Sequence, residues 1–410
     1  MWRLSRDGLV ERLVVFKHLG GGYVPAGEIV VEGAGSGRFG RFAYARSYLA
    51  RADRRPIDPV GLPFSPRFRS SMPERVHLAF HDAGPDGWGK GVLERAFPSL
   101  RLGMPEFLAL GGLRRTGDLA FGPTPDGPAT WRPDEEPLVT LPDDGDDVEA
   151  LTAAIAAVDG GEASPSHLAL LVRTSADVGG ARPKARLRHE GADWIAKFQA
   201  WNDRFDDPRV EAACLDVAEA AGIATPPRRL LDVAGRTILL VGRFDRGEDG
   251  RPFAYLSAGT LLGEPSFDYA TNRTYADIAE VARRIGVRDA PREMFRRFLL
   301  NSRLRNTDDH LRNHGFVDDG KGWRVSPVFD VVPQIGVLRH VCAPTRDLGP
   351  AWAPARAFDA HVGLGLDRWE AEEIRDAVAT AADRLPEFLD ARQVVTEERE
   401  LVLTALRDTA

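Results

Sequence analysis

The sequence predicts an α+β fold of two lobes, in which a small sheet precedes a mainly helical region. Segments 37–49, 193–201 and 235–244 have the alternating, β-branched or aromatic content of strands. From about residue 274 onward the apolar residues follow mainly helical spacing. The 410 residues exceed what one hydrophobic core accommodates, so we expect more than one structural unit, with a cleft between the lobes.

Apolar residues at helical spacing predict helices at 86–97 and 148–158, within 206–227, and at 291–306. In the third of these, Asp207 is expected to cap the helix and Pro208 to occupy its first position. The fourth delivers a strongly polar loop at its end.

Six prolines between positions 123 and 142, interleaved with acidic residues, predict a domain boundary. We therefore expect an N-terminal subdomain at 1–122, a linker or loop at 123–147, a small lobe at 148–244 and a helical lobe at 245–410. The alternative is a long surface loop within one domain.

Composition narrows the class of protein. The net charge of −7 argues against bulk binding of nucleic acid, although it leaves a local basic patch open. Cys214 and Cys342 have no metal-ligand spacing, which favours free thiols in a reducing compartment. No apolar run is long enough for a membrane span, and charged residues interrupt the N-terminal segment where a signal peptide would be apolar. We expect a cytoplasmic protein without a membrane segment.

The loop "NTDDHLRNHGFV" at 306–317 concentrates residues that carry chemistry. Asp308 or Asp309 can accept a proton from a hydroxyl nucleophile, and we choose Asp308. His310 has no second histidine or cysteine at ligand spacing, so we interpret it as a structural or phosphate-contacting residue. The alternative for the whole loop is a polar helix end without catalytic function.

Two further oxygen donors follow in chain order. Asn313 lies five residues after Asp308, and Asp330 ends the apolar, strand-like segment 326–330. An amide oxygen and a carboxylate suit Mg²⁺, which keeps waters and shares phosphate oxygens. A base, an asparagine and a later aspartate occur in the order of the catalytic and metal-binding loops of protein kinases.

Three more segments fit the binding of a nucleotide, each with an ordinary structural alternative. In "SADVGGARPKARL", Gly179 and Gly180 allow close approach of backbone N–H groups to an anion and Lys184 adds charge, although a surface hairpin is the default. Lys197 and Glu211 fit a strand-lysine to helix-glutamate pair, or separate surface charges. "LVGRFDR" fits a hinge that binds a base, or a hairpin corner.

Six motifs in this order resemble the HipA family of serine/threonine kinase toxins: "DVGGARPK", "IAKF", "GRFDR", "YLSAGTLLG", "NTDDHLRN" and "SPVFDV". The N-terminal "GPDGWGKGVLERAF" and "RRTGDLAFGP" resemble that family's small N-terminal subdomain, so the resemblance spans nearly the whole chain. It implies a two-lobed, protein-kinase-like α+β fold with an additional small N-terminal subdomain, and ATP and Mg²⁺ as cofactors.

The resemblance also implies roles for individual residues. Asp308 corresponds to the catalytic base, and Asn313 and Asp330 to the Mg²⁺ ligands. The ATP-binding residues implied are Val178, Gly179, Gly180, Ala181, Lys184, Lys197, Glu211, Gly242, Arg243, Phe244, His310 and Arg312.

The family's biology supplies expected partners. Known targets are aminoacyl-tRNA synthetases, whose phosphorylation stalls translation and arrests growth. A small helix-turn-helix antitoxin of the HipB type commonly neutralises the toxin, and the two bind operator DNA together.

One position departs from the family pattern. Family members often carry an autophosphorylated serine seven residues before the phosphate-loop lysine, where this chain has Asp177. Ser175 matches a second autophosphorylated serine of some members and is the predicted regulatory site. A carboxylate at Asp177 disfavours bound phosphates by repulsion if it points inward. Two alternative functions therefore stay open: a nearly inactive co-repressor acting through an antitoxin and DNA, and a small-molecule phosphotransferase.

Overall fold

The computed structural model describes residues 1–70, 76–133, 147–176, 179–200, 203–264, 272–337, 339–350 and 354–407. The strands are β1 (Arg12–Leu19), β2 (Gly22–Glu32), β3 (Phe39–Tyr44), β4 (Arg69–Ser70), β5 (Leu119–Gly122), β6 (Lys184–His189), β7 (Ala192–Phe198), β8 (Arg228–Val233), β9 (Arg236–Gly242), β10 (Ala254–Ser257), β11 (Gly315–Asp318) and β12 (Trp323–Val325).

The α-helices are α1 (Arg46–Leu49), α2 (Leu78–His81), α3 (Gly87–Ala96), α4 (Met104–Leu110), α5 (Val148–Asp159), α6 (Pro165–Ser175), α7 (Asp207–Ala220), α8 (Ala258–Leu262), α9 (Tyr275–Arg284), α10 (Ala290–Arg303), α11 (Ala360–Leu364), α12 (Arg368–Asp383), α13 (Leu385–Ala391) and α14 (Thr396–Arg407). Among the described residues, no helix combines the length and apolarity that a membrane crossing requires.

The chain forms two compact units. The first consists of Met1–Ala200 and Asp245–Leu256, and the second of Trp201–Phe244 and Ser257–Ala410. The boundaries of these units differ from those of the segments expected from the prolines and the family resemblance. The expected segments describe the lobes of a kinase-like fold, and they stay a prediction. Most of the proline-rich segment, 134–146, lies outside the described residues.

The first unit is built on a five-stranded antiparallel sheet with the order β4-β3-β2-β1-β5. Its interior holds a buried ion pair between Lys17 Nζ and Asp118 Oδ2 at 2.7 Å. Asp58 is also buried; its Oδ1 accepts the backbone N–H groups of Val60 and Gly61, and burial raises the pKa of the carboxyl to about 6.

The strand predicted at 37–49 is correct only as far as Tyr44, where β3 ends and the turn of helix α1 follows. The reason is the spacing of the aromatic residues. Arg46, two residues after Tyr44, is exposed, whereas Tyr48, four residues after it, is buried, so the buried positions follow helical and not alternating spacing. The Tyr48 hydroxyl donates to the carbonyl of Arg55 at 2.7 Å and fixes this turn.

The first unit also contains helices α3, α5 and α6 and the hairpin of β6 and β7. The predicted helices at 86–97 and 148–158 are confirmed as α3 and α5, and the strand at 193–201 is confirmed over β7. Strands β6 and β7 are antiparallel, and their register places Lys184 opposite Lys197.

The second unit begins with α7, which starts one residue earlier than predicted. Asp206, and not Asp207, is the N-cap, because its Oδ1 accepts the N–H of Arg209 at 3.1 Å. Asp207 is the first helical residue and Pro208 the second. The helix buries an apolar face formed by Val210, Cys214, Val217 and Ala221. The antiparallel hairpin of β8 and β9 follows and includes most of the strand predicted at 235–244.

The predicted helix at 291–306 is confirmed as α10, whose Met294, Phe295 and Phe298 are fully buried. Arg305 has a φ of +54°, a left-handed conformation that ends the helical path and starts the polar loop.

The strand expected at 326–330 is wrong. Strand β12 ends at Val325, and Pro327 has no N–H group for a strand ladder. The N–H of Val328 donates instead to the carbonyl of Ala224 at 2.8 Å, and Asp330 has a φ of +56°. The apolar residues of this segment are therefore anchored by a loop contact within the second unit.

Candidate active site

The loop after α10 places its two adjacent aspartates in opposite environments. Asp309 is 4% exposed, and its Oδ2 accepts hydrogen bonds from Asn301 Nδ2 at 2.7 Å, from His314 Nε2 at 3.0 Å and from the hydroxyl of Tyr275. Asp308 is exposed. Since a general base must reach its substrate, this difference supports Asp308 as the base and assigns Asp309 to anchoring the loop.

Asn313 lies in the same loop and its side chain is held there. It ends a short 3-10 helix, Leu311–Asn313, and its Nδ2 donates to the carbonyl of Asp308 at 3.3 Å. This bond identifies the nitrogen end of the amide, so Oδ1 is the atom of Asn313 that can ligate a cation. His310 and Arg312 precede it in the chain, and both are half-buried.

Asp330 approaches this loop through its backbone contacts. Its N–H donates to Glu211 Oε1 at 3.1 Å, and its carbonyl accepts from Asn306 Nδ2 at 3.2 Å. Glu211, on α7, is thus joined to the loop that carries Asp330. Its predicted ion pair with Lys197 stays a prediction, because the two residues belong to different units.

The donor set of the second unit fits Mg²⁺. An amide oxygen from Asn313 and a carboxylate from Asp330 are hard ligands, and Mg²⁺ commonly takes only one or two protein carboxylates together with waters and phosphate oxygens. Within the described ranges, no group of three or more His, Cys, Asp or Glu residues is arranged to hold a metal. A protein-enclosed site of the zinc type therefore does not occur in that part of the chain.

The glycine loop before β6 is shaped around a lysine. Gly180 has a φ of +98°, and a Cβ at this position would collide with Nζ of Lys184. The carbonyl of Gly180 accepts the N–H of Trp88, at the start of α3, at 2.9 Å. Lys184 and Lys197 are opposite each other, so their side chains share one face of the hairpin.

The predicted regulatory segment is described only in part. Asp177 and Val178 lie outside the described residues, while Gly179 and Ala181 are partly or fully exposed. Ser175 is the last residue of α6 and is completely buried, and within the described part of the chain its Oγ has no hydrogen-bond partner. A phosphate at Ser175 therefore requires the end of α6 to open first.

The predicted adenine segment, Gly242 to Phe244, leaves β9 in the second unit. The N–H of Gly242 donates to the carbonyl of Pro227 at 2.8 Å, and Arg243 is half-buried. The Phe244 ring stacks on Phe329 with centroids 5.6 Å apart. Phe329 directly precedes Asp330, so this segment packs against the loop that carries the candidate metal ligand.

The predicted residues divide between the two units. The second unit contains Asp308, His310, Arg312, Asn313, Asp330, Glu211 and Gly242 to Phe244. The first unit contains Gly179, Gly180, Ala181, Lys184 and Lys197.

Sequence reasoning missed the residues that hold the aspartate loop, namely Tyr275, Asn301, Asn306 and His314. Asn301 gave a usable signal, because it lies three residues after Phe298 and seven after Met294, on the buried face of α10. A polar residue at a core position needs buried partners.

Burial also lowers the pKa of His340 to about 4, so this neighbour of Asp309 is neutral near pH 7.

Known proteins resemble this chain in family and in fold. Residues 176–385 match the family model described as the HipA-like C-terminal domain. The fold resembles that of HipA from Shewanella oneidensis MR-1, solved with HipB and its operator DNA, with a TM-score of 0.67 and 16% identity over 97% of this chain and 95% of that one.

A second solved structure, the proinflammatory kinase CtkA of Helicobacter pylori, matches over 55% of this chain and 95% of its own, with a TM-score of 0.35 and 11% identity. This likeness is too low to bear on function. No curated protein matches the sequence. The Shewanella structure confirms the predicted fold class. Since the family model spans just over half of the 410 residues, the chain belongs to the HipA family.

Proposed function

We propose that this chain is a toxin kinase that transfers the γ-phosphate of ATP to a serine or threonine hydroxyl of a protein. The observation that carries the proposal is the exposed Asp308, held by the buried Asp309 in the loop that also carries Asn313. Asp330 supplies a carboxylate in the same unit. A base and two hard oxygen donors are the groups that phosphoryl transfer to a hydroxyl requires.

In the proposed reaction, Asp308 accepts the proton of the substrate hydroxyl while that oxygen forms a bond to the γ-phosphorus. The bond between the γ-phosphorus and the bridging oxygen breaks, and ADP leaves. Lys184 and Lys197 bind phosphate oxygens, and the N–H groups near Gly180 approach them closely. Asn313 and Asp330 would hold Mg²⁺, which neutralises phosphate charge when it is bound.

The finer assignments rest on family resemblance. We infer that the target is an aminoacyl-tRNA synthetase and that the result is inhibition of translation and growth. We infer a small helix-turn-helix antitoxin of the HipB type as partner, with operator DNA bound through it. The support is the likeness to a HipA solved with HipB and DNA. Autophosphorylation at Ser175 is proposed with the condition that the end of α6 opens.

The test uses purified wild type and Asp308→Ala, each with Mg²⁺ and γ-labelled ATP, alone and with a bacterial lysate. The proposal predicts label on the chain or on a discrete lysate protein with the wild type only. Label on a metabolite and on no protein would replace the proposal by a small-molecule phosphotransferase. Binding of ATP without any transfer would favour a co-repressor with little activity.

A further inference from the structure

Asp330 is held in a strained backbone conformation by two buried side chains. Its φ of +56° lies in the left-handed region, which residues with a Cβ adopt at an energetic cost. The backbone N–H of Asp330 donates to Glu211 Oε1 at 3.1 Å, and the backbone carbonyl of Asp330 accepts from Asn306 Nδ2 at 3.2 Å. Both partners are buried. These two contacts therefore restrain the backbone on both sides of Asp330.

The contacts of Glu211 and Asn306 with the Asp330 backbone form a clamp. Asn306 links this clamp to Asp309, which anchors the loop that carries Asp308. Its Nδ2 donates to Asn301 Oδ1 at 3.1 Å as well as to Asp330, so one NH₂ group serves two acceptors. Asn301 in turn donates to Asp309 Oδ2 at 2.7 Å. An unbroken series of hydrogen bonds, the first two of them buried, thus joins Asp309, the residue next to Asp308, with the backbone of Asp330.

The chemistry of the site explains why an asparagine is needed here. Asp308 acts on a hydroxyl, whereas Asp330 ligates a cation, and the two groups lie on separate loops. Phosphoryl transfer is chiefly positioning, and a displacement of about 1 Å costs on the order of 10²-fold in rate. The two N–H bonds of one amide can fix both loops, which a carboxylate with no donor or a hydroxyl with one donor cannot do.

We propose that Asn306 is a positioning residue, which fixes the metal loop at Asp330 relative to the base loop at Asp308. This inference rests on the proposed kinase function for its consequence, but the clamp itself is a property of the second unit. Asn306 acts through other residues and not on substrate or metal, since both N–H bonds of its amide are used by Asn301 and Asp330.

The experiment compares wild type with Asn306→Asp, which keeps the shape and loses both donors, and with the milder Asn306→Ser, which keeps one. The control is Ile374→Val in α12, a core residue that is 2% exposed and has no part in the series of bonds. Amide hydrogen exchange of residues 328–332 and binding of ATP with and without Mg²⁺ are measured on the full chain.

The proposal predicts exchange at 328–332 at least about tenfold faster in Asn306→Asp, with Asn306→Ser between it and the wild type. It also predicts that the gain in ATP affinity on adding Mg²⁺ falls about tenfold, while binding without Mg²⁺ is unchanged. Exchange that is unchanged, or equally raised in Ile374→Val, would overturn the proposal. If only Asn306→Ser folds, its own exchange decides. If the exchange data support the clamp but the wild type transfers no phosphate, the kinase function is refuted and the positioning role of Asn306 stands.

Discussion

Replacing each of the two adjacent aspartates by alanine should separate chemistry from stability. Asp309→Ala removes the acceptor of three buried donors, on Tyr275, Asn301 and His314. Asn301 Nδ2 also lies 3.0 Å from the Tyr275 hydroxyl, so part of that network survives and the loss is smaller than three full bonds. Because an unsatisfied buried donor costs about 1–3 kcal/mol, we expect the free energy of unfolding to fall by about 3 kcal/mol.

Asp308→Ala should lower activity and leave stability nearly unchanged. Its carboxylate is exposed, so the free energy of unfolding should stay within about 0.5 kcal/mol of the wild type. Loss of the general base should lower kcat by about 10²–10⁴-fold. The assays are urea unfolding followed by fluorescence and initial rates of transfer from labelled ATP. A large destabilisation in Asp308→Ala, or an unchanged stability in Asp309→Ala, would refute this division of roles.

Three further predictions concern the first unit. Gly180→Ala should lower ATP affinity at least about tenfold, because the new Cβ displaces Nζ of Lys184. Gly235→Ala, also at a positive φ but with open space around it, should leave the affinity unchanged, and ATP titrations measure both. Asp58→Asn should raise the free energy of unfolding by about 3 kcal/mol above about pH 6 and by little below about pH 4, as unfolding at several pH values would test. Ser175→Asp should place a charge at a fully buried site and lower the unfolding midpoint in urea, with Ser175→Ala near wild type.

The sign of the Asp58 effect follows from its proton affinity. The folded carboxyl has a pKa of about 6 and the unfolded one about 3.9, so the folded state binds more protons between these values and stability falls as pH rises through them. A stability difference independent of pH would contradict this prediction. Equal effects of Gly180→Ala and Gly235→Ala would contradict the role of the lysine contact, and a stable Ser175→Asp would contradict the burial argument.

Parts of the candidate site could be predicted from the sequence where the residue types and their order along the chain both fit one reaction. Asp308, Asn313 and Asp330 were predicted as candidates because their residue types and their succession fit phosphoryl transfer. The choice between Asp308 and Asp309 could not be argued from residue type, since the two differ only in burial. That difference arises from Tyr275 and Asn301, which lie on separate helices and meet Asp309 only in the folded chain.

The errors in the predicted elements have local causes. Apolar content at 326–330 favoured a strand, but Val328 forms its backbone hydrogen bond with Ala224, far away in the sequence. The cap of α7 was misplaced by one residue because Asp206 and Asp207 are equally good capping residues by type. Long helices with regular apolar spacing, such as α10, were predicted correctly because their buried face is visible in the sequence itself.

Site-localising mass spectrometry shows whether this chain phosphorylates a protein hydroxyl with Asp308 as the base. Lysate proteins are incubated with Mg²⁺, ATP and either the wild type or Asp308→Ala. We predict a phosphoserine or phosphothreonine on a discrete protein that appears with the wild type and is absent with the variant. Identical phosphorylation patterns in the two samples would contradict the claim.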